Sequence, residues 1–282
     1  MMAAVIGTGS IGQDLVSKIH RSPVLRCGLV AGRDPRSAGL RHAARLGYPT
    51  SPGGIDAILA APTPFGVVFD ATNATSHAEH ARLLPPSTLL VDLTPSKLGH
   101  MVVPSVTGTQ RPGGRDVSLI SCGGQASIPI AHALAGRFEV DYLEVVSTVA
   151  SSVAGRATRL NLDEYVATTQ HALTTFTDVP HTKAILNISP AVPPAMFRTA
   201  VHAVIRRAGA EDVRRVVSHA AQRVREFAPG YEITSCAVRG ERVSVALEIT
   251  ADSDVLPRYA GNLDLINSAA IMVAERHAVV WR

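Results

Sequence analysis

A cysteine stands in the middle of the chain where its surroundings favour reactivity. The segment Leu119-Ile-Ser-Cys-Gly-Gly-Gln-Ala-Ser-Ile-Pro-Ile130 joins a strand-like run, 116–121, to a helical stretch, 125–135. Proline is tolerated in the first turn of a helix, so the helix is expected to begin close to Pro129, with Cys122 in the connection ahead of it. A thiol there meets unpaired amide N–H groups and the positive end of the helix dipole, which favour the thiolate. The same amides, unshielded at Gly123 and Gly124, are expected to donate to an oxyanion on a bound carbonyl. Cys27 and Cys236 lie inside strand-like runs and read as small buried hydrophobes.

A second cluster sits at the start of the chain. Gly7-Thr-Gly-Ser-Ile-Gly12 follows a strand-like run, 3–6, and precedes a helical one, 13–19. In this setting the first glycine permits a tight turn, the second lets backbone approach a pyrophosphate, and the third lets helix and strand pack closely. Near the end of the next strand stands Gly32-Arg33-Asp34-Pro35-Arg36. An acid here binds the ribose 2′-hydroxyl of NAD, whereas an arginine accepts the 2′-phosphate of NADP. NAD is the expected cofactor, and Arg33 keeps NADP open. A dinucleotide turn and a nucleophilic cysteine together point to one chemistry: thiolate addition to an aldehyde, hydride loss to nicotinamide, and a thioester left on the protein.

Those residues need a scaffold, and the first half of the chain supplies one. Strand-like runs at 3–6, 25–31, 66–70 and 88–92 alternate with helical runs at 13–19 and 37–46. That alternation predicts an α/β fold with a Rossmann-type doubly wound parallel sheet, whose ligands lie beyond the strand C-termini. Residues 70–76 and 94–97 are therefore expected pocket walls. From about residue 138 the strands lengthen, at 139–150, 183–188 and 233–251, around helices at 163–175 and 210–227. This texture predicts a second, α+β domain with a mixed or largely antiparallel sheet. A last helix, 262–276, is expected to pack back on the first domain. The expected division is 1–122 plus 259–282 for dinucleotide binding and 123–258 for the α+β part.

Composition narrows the classes. A chain of 282 residues suits two domains, and 46% hydrophobic with 4% aromatic residues describes a globular core of Ala, Val, Leu and Ile. No apolar run approaches the roughly 18 residues needed to span a bilayer. The N-terminus lacks a basic region followed by an apolar one, so a cytoplasmic start is expected. Three widely spaced cysteines argue against a disulfide framework and against a zinc cluster, and no metal is expected. The formal charge of +4 is scattered, with no basic run longer than two, which argues against a nucleic-acid partner.

Taken together, IGTGSIGQDL, GRDPRSAGL, VFDAT, VDLTPSKLG, SCGGQASIPI, AGRATRLNLDEY, AILNISPAVPP and LPRYAGNLDL resemble the acylating acetaldehyde dehydrogenases over nearly the whole chain. SCGGQA with YAGNLD is the most specific combination. The resemblance implies conversion of a short aldehyde, acetaldehyde or propionaldehyde, with CoA and NAD to acyl-CoA and NADH, as in aromatic hydrocarbon catabolism. It implies an α+β dimerisation domain, a homodimer or hetero-oligomer, and a 4-hydroxy-2-oxovalerate aldolase as partner. Cys122 would be the acyl-thioester nucleophile. Thr8, Gly9, Ser10 and Ile11 would touch the cofactor phosphates, and Val153, Ala154, Gly155, Arg156, Ala157, Thr158, Arg159, Leu160 and Asn161 would form a second cofactor-contacting segment. Asn262 would be a third contact; its position before Leu263 also fits a helix N-cap.

Three departures from the family pattern stand out. Gly155-Arg156-Ala157-Thr158-Arg159 replaces Gly-Pro-Gly-Thr-Arg, and Gly32-Arg33-Asp34 replaces Gly-Ile-Asp. Thr199 stands where the family has an aspartate proposed as the base that activates the cysteine. His202, one turn on if this segment is helical, is a candidate substitute. Other readings are a semialdehyde dehydrogenase using an acyl phosphate, a divergent acyl-thioester reductase, and a non-catalytic aldolase-associated subunit.

Overall fold

The computed structural model describes residues 1–108, 113–155, 158–159 and 161–280. Runs that are apolar at nearly every position need cover on both faces, which a parallel sheet between helices provides. The chain begins with β1 (Met2–Ile6), α1 (Ser10–Arg21), β2 (Arg26–Ala31), α2 (Ala38–Arg45), β3 (Thr50–Ser51) and α3 (Gly54–Leu59). It continues through β4 (Val67–Asp70), α4 (Ala74–Leu83), β5 (Leu89–Asp92), β6 (His100–Met101), α5 (Pro104–Thr107) and β7 (Asp116–Ser118). Every residue of β4 and β5 is buried. Among the described residues these strands form one sheet in the order β3-β2-β1-β4-β5-β7-β6, with all pairs parallel. Chain order reverses between β1 and β4, which opens a crevice at their C-terminal ends. The doubly wound sheet expected from the sequence is present.

The second half holds α6 (Cys122–Ala135), β8 (Val140–Ala150), α7 (Leu162–Thr177), β9 (Thr182–Ser189), β10 (Phe197–Ile205), α8 (Ala210–Arg225), β11 (Tyr231–Arg239), β12 (Arg242–Ile249) and α9 (Gly261–Val280). Its strands form a mixed sheet in the order β11-β12-β10-β8-β9, antiparallel except for β8 beside β9. The mixed α+β character expected for this half is present as well.

Three local expectations are corrected. The run 233–251 is a hairpin, turned at Gly240, whose φ of 60° suits glycine. Helix α6 starts at Cys122 and carries Pro129 in its interior. Burial along almost all of α6 in the core of the second sheet outweighs the hydrogen bond that proline removes. The segment around Thr199 and His202 is a strand, so the two side chains, three apart, point to opposite faces.

The last helix returns to the first sheet. Ile266, Ala269, Ala270, Val273 and Ala274 of α9 share a buried cluster with Leu15, Val16 and Ile19 of α1. Polar contacts fix the same interface: Lys18 Nζ donates to Asp264 at 2.6 Å, and Asn267 Nδ2 to Asp14 at 2.7 Å.

Candidate active site

The glycine turn after β1 has the geometry that its spacing predicts. Gly7 takes φ +110° against the Ala71 carbonyl, and a Cβ on Gly12 would lie 2.0 Å from the Gly7 oxygen. Only glycine fits either position. A Cβ on Gly9 meets nothing within 4 Å, so the backbone there faces open space. Gly9 is also the N-cap of α1, with no side-chain cap and no acidic residue in the first turn. The N–H groups of that turn have no intrahelical partner, and an anion suits them. A dinucleotide pyrophosphate fits this cradle. At the end of β2, Asp34 turns into its own loop, accepting the Arg36 N–H at 2.9 Å.

The expected pocket walls at 70–76 and 94–97 are organised differently. Asp70 and Asp92, at the ends of adjacent strands, are fully buried. Asp70 accepts from the Thr72 N–H at 3.0 Å, and Asp92 from the Thr94 N–H at 2.7 Å and the Ser96 hydroxyl at 2.5 Å. Both carboxylates hold the loops that follow them. Between them His77 places Nδ1 2.9 Å from Asp70 and 3.4 Å from Asp92, with Nε2 3.3 Å from Asp116.

Cys122 is the first residue of α6, capped by Ser121, whose hydroxyl accepts the Gly124 N–H at 2.9 Å. Helix α6 buries its length in the second core while Cys122 packs against the first. The sulfur therefore sits where the two sheets meet. Tyr165, one turn into α7, brings its hydroxyl 3.4 Å from the Cys122 Sγ, and Asn262, at the start of α9, is a polar neighbour of the same sulfur. The Asn262 Oδ1 is buried without a partner. Asn262 lies within α9, after Gly261, so it is not the N-cap.

Two electronic expectations are reversed. The Gly123 N–H is taken by the Tyr165 hydroxyl at 2.8 Å and the Gly124 N–H by Ser121, so neither amide is open to an oxyanion. Beside the sulfur stand the Cys122 N–H, the Asn262 side chain and the Gly123 N–H that Tyr165 also engages. Burial pushes the Cys122 thiol up from its ordinary 9.0, and bonds from Tyr165, Asn262 and the Gly123 and Cys122 N–H groups offset only part of this. The helix terminus alone does not make this thiol acidic.

Other expected residues divide between the site and its margin. Ile11 and Val153 pack on one small cluster with Leu256, Ala260 and Leu263, which joins the glycine turn, the loop after β8 and the start of α9. Asn267 reaches the Ile11 carbonyl at 3.2 Å from the helix that carries Asn262. Ala154 is buried in the second core, and Gly155 is exposed. Arg159 is bound back to its own loop, at 2.9 Å from the Ala154 and Ser151 carbonyls. Thr158 stands one residue before it, and Asn161 immediately precedes α7. Arg156, Ala157 and Leu160 lie outside the described residues. Thr199 is buried, 3.1 Å from the Ser147 hydroxyl. His202 faces the other side of β10 and pairs with Ser244 at 3.0 Å, away from the sulfur. Tyr165 and Ser147 are the site residues that sequence reasoning did not single out.

A doubly wound parallel sheet with this glycine turn, joined to a mixed sheet with a cysteine between them, defines a Rossmann-like dehydrogenase. A family model described as prokaryotic acetaldehyde dehydrogenase, dimerisation, matches residues 122–257. The chain is 64% identical to an acetaldehyde dehydrogenase of Streptomyces griseus subsp. griseus, over 98% of this chain and 89% of that one. It is 44% identical to an acetaldehyde dehydrogenase of Pectobacterium atrosepticum, over 96% and 93%. One from Geobacillus stearothermophilus is 39% identical, over 98% and 95%. Among solved structures, aspartate semialdehyde dehydrogenase II of Vibrio cholerae, complexed with ASA, shares the fold at TM-score 0.66 and 13% identity, over 100% and 99% of the two chains. The protein belongs to the acetaldehyde dehydrogenase family. Among the described residues, no helix is long and apolar enough to cross a membrane.

Proposed function

We propose that this protein is a CoA-acylating, NAD-dependent aldehyde dehydrogenase acting on a short aldehyde through a thioester on Cys122. The observation that carries the reading is the placement of Cys122 Sγ at the junction of the two sheets, 3.4 Å from the Tyr165 hydroxyl and beside Asn262. Membership of the family supports it. The cradle formed by Thr8, Gly9, Ser10 and Ile11 would hold the pyrophosphate, and the described residues of the segment 153–161 with Asn262 would complete the cofactor site. When bound, the nicotinamide supplies the hydride acceptor. Cys122 adds to the aldehyde carbon, the Asn262 amide and the Cys122 N–H steady the oxygen that becomes negative, and once that carbon has given up its hydride the acyl group on Cys122 passes to the thiol of CoA, which frees the cysteine.

We assign residues 1–122 with 259–282 to dinucleotide binding and 123–258 to catalysis and dimerisation. Packing of α9 on α1 supports this division, and the dimerisation region of the family supports a homodimer. An aldolase that delivers the aldehyde is the proposed partner. The three cysteines are free, which supports a reducing, cytoplasmic setting.

The test is reduced-cofactor formation from acetaldehyde or propionaldehyde, with and without CoA, using NAD and NADP in parallel. NADH formation that requires CoA is the expected result. NADH formation that requires inorganic phosphate and does not respond to CoA would sink the proposal in favour of a semialdehyde dehydrogenase that forms an acyl phosphate.

Gly9→Ala separates the cradle from the fold. Its Cβ meets no protein atom within 4 Å, so the melting temperature is expected to stay within a few degrees of wild type. The methyl instead occupies the approach to the pyrophosphate, and NADH affinity measured by fluorescence titration is expected to fall about tenfold or more. Unchanged affinity would place the phosphates elsewhere.

A further inference from the structure

The sulfur of Cys122 is the end of a line of buried hydroxyls. Tyr165 Oη lies 3.4 Å from Sγ and accepts the Gly123 N–H at 2.8 Å, and Ser147 Oγ lies beside it on the same side of Gly123. Ser147 Oγ in turn lies 3.1 Å from Thr199 Oγ1. Tyr165 is 7% exposed, and Ser147 and Thr199 are each 1% exposed. Gly123 makes the line sterically feasible, because a Cβ there would lie 2.4 Å from Tyr165 Oη and 2.7 Å from Ser147 Oγ. No side chain larger than hydrogen fits behind the cysteine.

The direction of the line follows from what each atom can give. The tyrosine oxygen carries one proton, which goes either to sulfur or to Ser147. A thiolate accepts only, and a hydrogen bond to a charged acceptor is roughly twice as strong as a neutral one. Once the sulfur ionises, the Tyr165 proton turns to it, Ser147 donates to Tyr165, and Thr199 donates to Ser147. Each O–H polarises the next toward the sulfur.

We propose that Tyr165 is a catalytic residue that stabilises the Cys122 thiolate by donating its O–H to Sγ, with Ser147 and Thr199 as positioning residues that orient that donation. The inference rests on the reading of Cys122 as the nucleophile. Tyr165 is not a base: burial first, and then the neighbouring Cys122, hold its own ionisation well above the ordinary 10.0. The step is an ionisation only; the S–H bond breaks, its electron pair stays on sulfur, and the proton passes to solvent. This line also gives Thr199 a use, as a hydroxyl donor where no carboxylate is present.

The experiment is alkylation of the intact protein with iodoacetamide across pH, with modification of the Cys122 peptide quantified by mass spectrometry. Wild type, Tyr165→Phe, Ser147→Ala and Thr199→Val are compared, with kcat and KM for each. Tyr165→Phe is expected to raise the alkylation midpoint by about one pH unit, the scale of one hydrogen bond to a charged group, and to lower kcat about tenfold near pH 8. Ser147→Ala and Thr199→Val are expected to move the midpoint the same way by less. An unmoved midpoint in folded Tyr165→Phe overturns the proposal. Should that variant fail to fold, unmoved midpoints in both Ser147→Ala and Thr199→Val overturn it. Turnover that survives Cys122→Ala overturns the nucleophile reading, and the catalytic role with it. A dead Cys122→Ala beside an unmoved midpoint overturns the role of Tyr165 alone.

Discussion

Cys122→Ala is expected to abolish aldehyde oxidation, lowering kcat by on the order of 10⁴-fold or more, while the protein folds and binds dinucleotide as wild type does. A loss of that size is roughly 5.5 kcal/mol of transition-state stabilisation. Among the described residues, nothing else near the sulfur can replace it. Tyr165 is held neutral by burial, Asn262 is an amide, and Ser147 and Thr199 are hydroxyls with no base beside them. Cys122→Ser is expected to be nearly as inactive, because a serine hydroxyl without a general base is a poor nucleophile. Folding is spared because Cys122 is half-buried and small, so truncation to alanine costs about 1 kcal/mol or less of apolar burial. The glycine cradle lies on another element and keeps its geometry. Turnover assays and intact-mass measurement after incubation with aldehyde and NAD check this together. An acyl adduct on the wild type and none on the variant is expected; a variant with more than about one percent of wild-type kcat would refute the assignment. Because burial pushes this thiol above its ordinary 9.0, kcat/KM is also expected to climb through the alkaline range with no plateau near neutrality.

What the sequence made legible was local. The glycine spacing at 7, 9 and 12 described a turn whose three positions each do a different steric job, and those jobs appear in the structure as a positive φ, open space and a backbone contact. Strand runs that are apolar throughout signalled a sheet covered on both faces. The cysteine at 122 was visible as a strand-to-helix junction. What surrounds it was not, because Tyr165 is 43 positions away, on a helix whose only local signal is its own apolar face. Ser147 likewise sits mid-strand on β8 with nothing in its neighbours to mark it.

The misread strand β10 is instructive. Phe197, Thr199, Val201, Ala203 and Ile205 face inward at period two, but Ala200 and Val204 on the other face are also apolar, and the mixed pattern reads equally well as helix. Reading it as helix placed His202 beside Thr199, and the sheet separates them. Pro129 misled through the opposite error, since a local rule about helix interiors gave way to burial on nearly every side of α6. The thiol itself shows why composition of a site is not its electrostatics. A helix N-terminus was legible, but the desolvation that outweighs it depends on the meeting of two cores.

The buried imidazole of His77 is expected to be among the most costly side chains to remove from the fold. It faces Asp70, Asp92 and Asp116, and its own exposure is nil. Burial opposes its charge, but bonds to Asp116 and Asp70 and the field of Asp92 prevail and raise it from the ordinary 6.5 to about 10. His77→Leu would strip buried Asp92 of its imidazole and leave Asp70 with His80 alone, a change expected to cost about 3–5 kcal/mol. The loops after β4 and β5 would suffer first, since Asp70 and Asp92 hold them. The pH dependence follows from the same groups. A histidine raised from 6.5 to about 10 contributes stability that is complete below 6.5 and is lost as pH rises through 10. Asp70 is lowered to about 2: burial opposes its charge, but His77 and His80 overcome it, so its share is present above 3.8 and lost as pH falls through 2. Asp92 is raised to about 7 by burial, which makes its ionisation cost stability progressively from 3.8 to 7. His77→Gln removes the cation and keeps some polarity, so its melting temperature is expected to fall furthest below wild type near pH 6 to 7. That gap should narrow toward pH 10, where wild-type His77 is itself losing its proton. Thermal melts of the two proteins at pH 6, 8 and 10 decide it, and a gap that stays constant or widens with pH would mean that the imidazole acts by packing, with its charge contributing nothing.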